Sequence, residues 1–462
     1  MRKVVFVRSR DKSGFTIVEL LIVVVVIAIL AAIVIVAYNG VTKQARESAL
    51  LSDLSNAATI MGVDYATNGT YALTKTAAHG GAGIPSSQGT DILFHSDGTT
   101  YCITARSTYD GIDSHYVSSA NPTPTKGECP EDAGSSVTTL VGDGTVGAAP
   151  GTGTAATLAG PAGIVADSSG NLYFTDQQGS RVRKVTTAGV VTNLFGNGPT
   201  GTTEGIGTAA LFNWPQAITV GPASQLYVAD TNNSRVRVAP LTAGVSTSLL
   251  AGSTQGTGGT TGSMGSAVQF NTPRGVVYNP TNHYVYVADS QSNRIRVISV
   301  DGVYITDIGS LTGSFADGSR TTARLNYPQG LAVDSSGNVY VADTLNHRIR
   351  MIDTAYNVTT IAGGGTAGGT DANGTAARFN SPMAVTVSSN GTLYIADTGN
   401  NTIRKVTPSK DVTTIAGNGT AGFKDGNGTD TMFNEPKGIA IGSDGRLYVA
   451  DRANNRIRVI NI

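Results

Sequence analysis

The chain has 462 residues, too many for one ordinary compact domain, so two or three folded units are expected. Its 32 basic and 32 acidic residues balance, and no basic block suggests nucleic-acid binding. Two cysteines and five scattered histidines give no zinc-ligand spacing, while 58 glycines indicate the many turns of a β-rich chain.

The first predicted element is a long helix that begins in an apolar segment. Residues 15–37 carry one charge, Glu19, over a length of 23 residues, and about 20 suffice to span a bilayer. A helical stripe of Ala, Leu and Met continues the pattern until Asn68-Gly69, which should stop the helix. The sequence predicts one continuous helix, membrane-embedded first and soluble later.

The start of the chain resembles the class III signal of type IV pilins and pseudopilins. The resemblance rests on a short basic leader, on Gly14 followed by Phe15, and on Glu19 near the start of the apolar run. It implies that a prepilin peptidase cuts between Gly14 and Phe15 and methylates the new amino group. A lone carboxylate in hydrocarbon is costly and usually functional, and the family implies that Glu19 pairs with the N-terminal ammonium of a neighbouring subunit. The alternative is a plain membrane anchor with Glu19 at the headgroups.

The remainder of this part is a short polar segment consistent with a few strands. Cys102 and Cys129 enclose a loop of 26 residues, and export to an oxidising exterior makes a disulfide the expectation, with two free thiols as the alternative. We predict a leader peptide over 1–14, then a pilin-like helix with a small globular domain and linker over 15–136.

From residue 137 the chain repeats, and the repeat is marked by a proline. The prolines are 54 to 58 residues apart, at Pro161, Pro215, Pro273, Pro328, Pro382 and Pro436. After each come an apolar strand, a strand ending in Asp such as LYVAD, a strand such as RIRVI, and a fourth such as VTTIAG. Four short strands in each of six units are the signature of a six-bladed propeller.

The two ends of this repeated part predict a closed ring. The sixth unit stops at Ile462 after its third strand, and the missing fourth strand is present at 137–142 as VTTLVG. Pairing that strand into the last unit would remove the free edges of the ring. The unit pattern resembles NHL repeats over 137–462, which implies a binding propeller more often than an enzyme. The predicted fold is therefore α+β followed by an all-β, six-bladed NHL-type propeller.

An aspartate ends the second strand of every unit, and we interpret it as architecture because one pocket does not need six copies. The set is Asp176, Asp230, Asp289, Asp343, Asp397 and Asp451. An arginine stands five residues later in every unit except the fifth, which has Thr402. We predict that the Asp accepts the amides of the following turn, and that this arginine pairs with the Asp or with a neighbouring unit.

Ligand contacts are predicted where the units differ, around the mouth of the channel that the first strands line. The candidates flank the prolines: Trp214, Gln216, Arg274, Tyr327, Gln329, Glu435 and Lys437. Aromatic and amide groups together suit a sugar or a peptide. The alternative is that Trp214 and Tyr327 only plug the channel.

Metal and catalytic chemistry are not favoured. Asp-Gly loops at Asp425 and Asp317 could hold calcium, although ordinary glycine turns are the preferred interpretation and no cofactor is expected. His283 and His347 lie outside the first strands, so a histidine-built zinc site cannot form there. No catalytic triad pattern is present, so we predict that the chain is not an enzyme, with a propeller lyase or lactonase as the less favoured option.

The combined prediction is a surface subunit like a type IV pilin, minor or at the tip, that displays a propeller for adhesion or ligand recognition. The alternative is a pseudopilin of a secretion or DNA-uptake system. The implied partners are other pilin subunits through the helix, a prepilin peptidase, and an extracellular glycan or protein. Nucleic acid is disfavoured, since the repeated part holds 22 basic and 20 acidic residues. The expected location is the cell membrane before assembly and the cell surface after it.

Overall fold

A computed structural model describes residues 17–72, 75, 78–96, 101–109, 112–126, 135–241, 244–253 and 264–462. The chain divides into two compact units, Met1–Ala133 and Gly134–Ile462. The predicted processing site, Gly14 and Phe15, lies outside the described residues, as do the side chain of Glu19 and all of Cys129. Cys102 is disulfide-bonded, and Cys129 is the only other cysteine in the sequence.

The first unit contains the long helix α1 (Ile17–Asn68). It ends at the predicted stop, where Gly69 has a φ of 72° and its N–H donates to the carbonyl of Tyr65. The predicted membrane span falls on residues whose side chains lie mostly outside the described set. Among the described residues, no helix is long and apolar enough to cross a membrane.

The second half of α1 packs against a small antiparallel sheet. Leu50, Leu54, Ala57 and Met61 recur on one helical face and are fully buried. The strands follow one another in chain order: β1 (Thr90–Ser96), β2 (Tyr101–Ser107), β3 (His115–Ser118) and β4 (Thr125–Lys126). The apolar stripe of the sequence is therefore the core face of this unit.

The described residues of the second unit form six separate sheets. Its strands begin with β5 (Ser136–Val141) and β6 (Gly151–Thr152). β5 belongs to the sixth sheet, whereas the first sheet contains β6 together with β7 (Pro161–Ala166), β8 (Leu172–Asp176), β9 (Arg181–Val185) and β10 (Val190–Phe195). The second contains β11 (Ala217–Gly221), β12 (Gln225–Asp230), β13 (Arg235–Pro240) and β14 (Ser248–Gly252). The third contains β15 (Pro273–Asn279), β16 (Tyr284–Asp289), β17 (Arg294–Ser299) and β18 (Tyr304–Gly309).

The remaining three sheets continue the repeat. The fourth contains β19 (Pro328–Val333), β20 (Val339–Asp343), β21 (Arg348–Ile352) and β22 (Val358–Ala362). The fifth contains β23 (Ala384–Val387), β24 (Leu393–Asp397), β25 (Thr402–Val406) and β26 (Val412–Ala416). The sixth contains β27 (Gly426–Asn427), β28 (Pro436–Ile441), β29 (Leu447–Asp451) and β30 (Arg456–Asn461), together with β5.

Short 3₁₀ turns connect many of these elements. Five follow the aspartate of the second strand: Thr231–Asn233, Ser290–Ser292, Thr344–Asn346, Thr398–Asn400 and Arg452–Asn454. Five more precede a first strand: Gly153–Ala155, Gly207–Ala209, Gly265–Ala267, Gly374–Ala376 and Gly428–Asp430. The other two are His79–Gly81 and Pro222–Ser224.

The first strands of the six sheets form a closed ring. β7 contacts β11, and the contacts continue through β15, β19, β23 and β28 back to β7. Each pair of neighbouring sheets shares one buried apolar cluster. Phe174 of the first sheet, for example, packs with Ala450 and Val459 of the sixth. The second unit is therefore propeller-like, with its core distributed between the sheets.

Glycine in the first strand permits this close approach. A Cβ on Gly438 would lie 2.0 Å from the carbonyl oxygen of Ala162 in the next sheet, and one on Gly275 would lie 2.0 Å from that of Gln329. Real Cβ contacts are not that short, so a side chain at either position would push neighbouring sheets apart.

The strand at the start of the second unit completes the sheet at its end. β5 lies between β27 and β30, and its register with β30 runs from Val137 opposite Ile460 to Val141 opposite Ile457. Val137 and Val141 are buried and belong to the two clusters on either side of the sixth sheet. A single strand therefore contributes both hydrogen bonds and apolar surface to ring closure.

Candidate functional site

The six repeated aspartates are fully buried, and in five sheets the aspartate pairs with an arginine seven residues later. The atoms lie 2.7 Å apart for Arg350 and Asp343. The corresponding pairs are Arg183–Asp176, Arg237–Asp230, Arg404–Asp397 and Arg458–Asp451. The predicted spacing of five is found in the third sheet alone among the described residues, where Nε of Arg294 lies 3.8 Å from Asp289. In the second sheet the arginine at this position, Arg235, instead lies 3.8 Å from Glu204 in the loop that follows the first sheet, which the prediction of a pair with a neighbouring unit allowed.

The following turn donates a side-chain amide to the aspartate in four sheets, whereas the backbone N–H that each aspartate accepts comes from a different loop. Their Oδ1 atoms accept a backbone N–H from the loop before the first strand, donated by Ala159, Asn213, Asn271, Asn326, Asn380 and Asn434. In four sheets the turn supplies an asparagine side chain to Oδ2 instead: Asn233, Asn346, Asn400 and Asn454. The carboxylate thus joins loop, turn and third strand, because a buried charge needs several partners.

Most of these buried arginines also bind a second carboxylate that is more exposed to solvent. Nη2 of Arg350 lies 2.7 Å from Asp317, and Nε of Arg458 lies 3.0 Å from Asp425. Asp425 also accepts the N–H of Thr139 on β5. The Asp-Gly loops considered for calcium therefore have their carboxylates bound to arginine in this structure.

The residue before each proline has a left-handed backbone in all six sheets. The φ values are 64° for Gly160, 53° for Trp214, 51° for Thr272, 56° for Tyr327, 51° for Ser381 and 52° for Glu435. This conformation is uncommon outside glycine and costs about 1–3 kcal/mol when it is strained. In four sheets the N–H of this residue donates to a turn side chain of the preceding sheet, namely Asn293, His347, Asn401 or Asn455. In these four sheets, a hydrogen bond to the preceding sheet therefore fixes the backbone of the residue before the proline.

Five of the seven predicted ligand residues line one cavity of about 480 Å³. They are Trp214, Gln216, Arg274, Glu435 and Lys437. We call this the mouth cavity. Gln329 lines the central channel next to the mouth cavity. The first strands of all six sheets surround this channel. The ring of Tyr327 lies 5.1 Å from the guanidinium carbon of Arg274. The structure therefore brings all seven candidates into one neighbourhood.

The aromatic side chains do not line the channel. Trp214 is 39% exposed and lines the mouth cavity, and neither Trp214 nor Tyr327 is among the described residues around the channel itself. Trp214 is therefore available to a ligand at the mouth.

Gln177 and Arg452 are among the members of the mouth cavity that were not predicted from the sequence. Oε1 of Gln177 accepts hydrogen bonds from Nζ of Lys437 at 3.3 Å and Nε of Arg452 at 3.2 Å, while Arg452 pairs with Glu435.

A sequence signal for these two residues exists. Both directly follow the repeated aspartate, where the other four units have Thr231, Ser290, Thr344 and Thr398. Each of those hydroxyls donates to the proline carbonyl of the next sheet. Units one and six depart from that structural rule, and this departure is the sequence signal for Gln177 and Arg452.

The mouth cavity carries more positive than negative charge. The only described carboxylate that lines the cavity is that of Glu435, which pairs with Arg452. Arg274 and Lys437 also line the cavity, and neither has a carboxylate within ion-pair distance among the described residues. Nη1 of Arg274 donates to Gln216 at 3.3 Å, and its Nε is buried without a described hydrogen-bond partner. Burial lowers the pKa of Arg274. Burial also lowers the pKa of Lys437 to about 7, with Arg452 and Arg274 acting in the same direction against Glu435.

The Lys437→Met variant should change how stability depends on pH. The pKa of Lys437 is about 7 in the folded chain and 10.5 for an ordinary lysine, so the unfolded state binds more protons between these values. That difference makes the wild-type fold more stable as pH rises from about 7 towards about 10. We expect Lys437→Met to lose this rise in melting temperature. Lys405→Met, outside the cavity, is the matched control, and parallel profiles for both variants would contradict the assignment.

Family comparisons agree with both parts of the sequence interpretation. The NHL repeat model matches residues 212–239, 325–350, 379–406 and 433–460, and the prokaryotic N-terminal methylation motif matches residues 9–35. The chain therefore carries NHL repeats together with the N-terminal methylation signal of type IV pilins.

Individual relatives share the repeated part. Protein SUPPRESSOR OF QUENCHING 1, chloroplastic, from Arabidopsis thaliana is 30% identical over 59% of this chain and 27% of its own length. NHL repeat-containing protein 2 from Bos taurus is 28% identical over 64% of this chain and 45% of its own length. The chain thus spans less than half the length of these relatives.

Solved structures support the fold of the chain. An auxiliary nutrient binding protein from Bacteroides thetaiotaomicron has a TM-score of 0.55 at 18% identity, covering 80% of this chain and 88% of that one. At this identity the likeness shows the fold alone.

Proposed function

We propose that this chain is a minor or tip subunit of a type IV pilus-like surface structure, and that it displays a six-bladed propeller for adhesion through ligand recognition. The observation that carries the proposal is the mouth cavity. It is built from residues that differ between otherwise regular units, on a protein that also carries a pilin methylation signal. Concave sites of this size, with a few convergent polar groups, are typical of ligand binding.

The N-terminal part would perform assembly. A prepilin peptidase would cleave between Gly14 and Phe15, and Glu19 would pair with the new N-terminus of a neighbouring subunit in the filament. A Cys102–Cys129 disulfide would stabilise the small domain outside the cell. The chain would be held in the membrane before assembly and exposed on the surface after it.

The propeller would bind rather than catalyse, and its function would need no metal or other cofactor. The imidazole of His283 bonds to the hydroxyl of Tyr278, and that of His347 accepts the N–H of Ser381. Neither histidine lines the mouth cavity. The cavity offers amides, cations and an aromatic face, which are groups that hold a ligand.

Immuno-electron microscopy of intact cells tests this proposal, with an antibody against the second unit. We expect label at filament tips, and its loss in a Glu19→Ala variant whose chain is still made and processed. Label along whole filaments would identify a main structural subunit instead of a tip subunit. Processed protein that stays in the membrane without any surface label would reject the adhesin role and favour the pseudopilin.

A further inference from the structure

We infer that the mouth cavity binds an acidic saccharide, with the anionic group of the sugar between Arg274 and Lys437. The inference rests on the proposed ligand-binding role and names the chemical class of ligand. Its basis is the contrast between these two basic side chains and the repeated arginines. Arg350, for example, has two carboxylate partners, whereas neither Arg274 nor Lys437 has one among the described residues.

The hydrogen-bonding capacity of the cavity is also incomplete. Nε of Arg274 is buried and has no described partner, and Gln216 is the only described acceptor of this guanidinium. The N–H groups of Arg274 that Gln216 does not accept remain as donors for an anion in the cavity that this residue lines. Carboxylate and sulfate oxygens are the strong acceptors for guanidinium and ammonium groups. The cavity therefore has a place for one anionic group.

The shape and the uncharged residues favour a saccharide over an extended peptide. Residues of five sheets surround the cavity, so it is a cup and not a groove: Gln177, Trp214, Arg274, Ser381 and Glu435 come from sheets one, two, three, five and six. A volume of about 480 Å³ suits a compact group. Trp214 offers an apolar face to a sugar ring, while the amides of Gln177 and Gln216 can bond its hydroxyls.

The chain provides its own optical probe for the test. Trp214 is the only tryptophan in the sequence and lines the cavity. Full-length processed protein in detergent is titrated with oligogalacturonate, a sulfated galactan oligosaccharide, a neutral galactan oligosaccharide of equal length and a glutamate-rich peptide. We expect the tryptophan fluorescence to change when one or both acidic saccharides are added and not to change with the neutral one. Added salt should weaken the binding of the acidic saccharide and so reduce this fluorescence change. The carboxylate and sulfate arms distinguish the two anions.

Matched variants test the two cations. Arg274→Met and Lys437→Met should each weaken the binding of the acidic saccharide by about ten- to a hundredfold, since hydrogen bonds to charged groups have that strength. Lys437→Arg should retain binding, which separates lost charge from a folding defect. Arg446→Met is the control, because Arg446 pairs with Asp444 and lines neither the cavity nor the channel.

Three outcomes would overturn the inference. They are equal responses to acidic and neutral saccharides, a response to the acidic peptide alone, and no response to either acidic saccharide from folded protein. In each case surface labelling of cells would be unaffected, so failure of this inference is distinguishable from failure of the surface role.

Discussion

Arg350→Met is expected to destabilise the propeller-like unit by about 3–5 kcal/mol, because it leaves two carboxylates without their shared cation. Asp343 is fully buried and would keep only the N–H of Asn326 and the amide of Asn346. Asp317 would lose its guanidinium partner. Chemical denaturation followed by the fluorescence of Trp214 measures the effect in the second unit.

Arg348→Met is the matched control for this variant, on the same strand. The guanidinium of Arg348 stacks on the ring of Phe315, 3.6 Å from its centroid, and bonds to backbone carbonyls. Its loss should cost about 1 kcal/mol, as for other partly exposed cation–π contacts. Equal effects of the two variants would show that the spacing of seven residues has no special structural role.

Val141→Asp should disrupt ring closure with a loss of more than about 3 kcal/mol, because it places an unpaired carboxylate in a closed apolar cluster. Val141 is fully buried among residues of the first and sixth sheets. A weakened β5 would expose the edge of β30, and an unpaired edge invites pairing with another chain. We expect reduced stability together with concentration-dependent oligomers, measured by denaturation and light scattering.

Thr138→Asp provides the control on the same strand, since Thr138 is exposed. Its effect should stay within about 0.5 kcal/mol, as for other surface substitutions. A monomeric, fully stable Val141→Asp protein would mean that closure of the ring does not depend on the packing of β5.

The strand pattern and the proline periodicity were readable from the sequence because each unit repeats the same physical rules. The arginine that pairs with the repeated aspartate could not be identified from the sequence. Asp343 lies opposite Arg348 across the hairpin, and Arg350 two residues later lies on the same face of the strand. Sequence spacing cannot decide which long side chain turns towards the carboxylate. The clue was that the second arginine is present in all six units, including the fifth, which has Arg404 after Thr402.

The mouth cavity was predicted in part for a related reason. Residues beside the prolines could be placed because the first strands line a channel. Gln177 and Lys437, however, are 260 residues apart in the chain, and only the junction of the first and sixth sheets brings them together. Contacts across that junction depend on side-chain packing, which repeat periodicity does not encode.

The position of β5 has a mechanical consequence. Tension applied through the N-terminal part of the chain enters the second unit at Ser136, the first residue of β5. This strand holds the sixth sheet through its ladder with β30, so pulling it out separates the last sheet from its closing strand. Ring opening, and not the unravelling of an intact internal sheet, is therefore the expected first event under load.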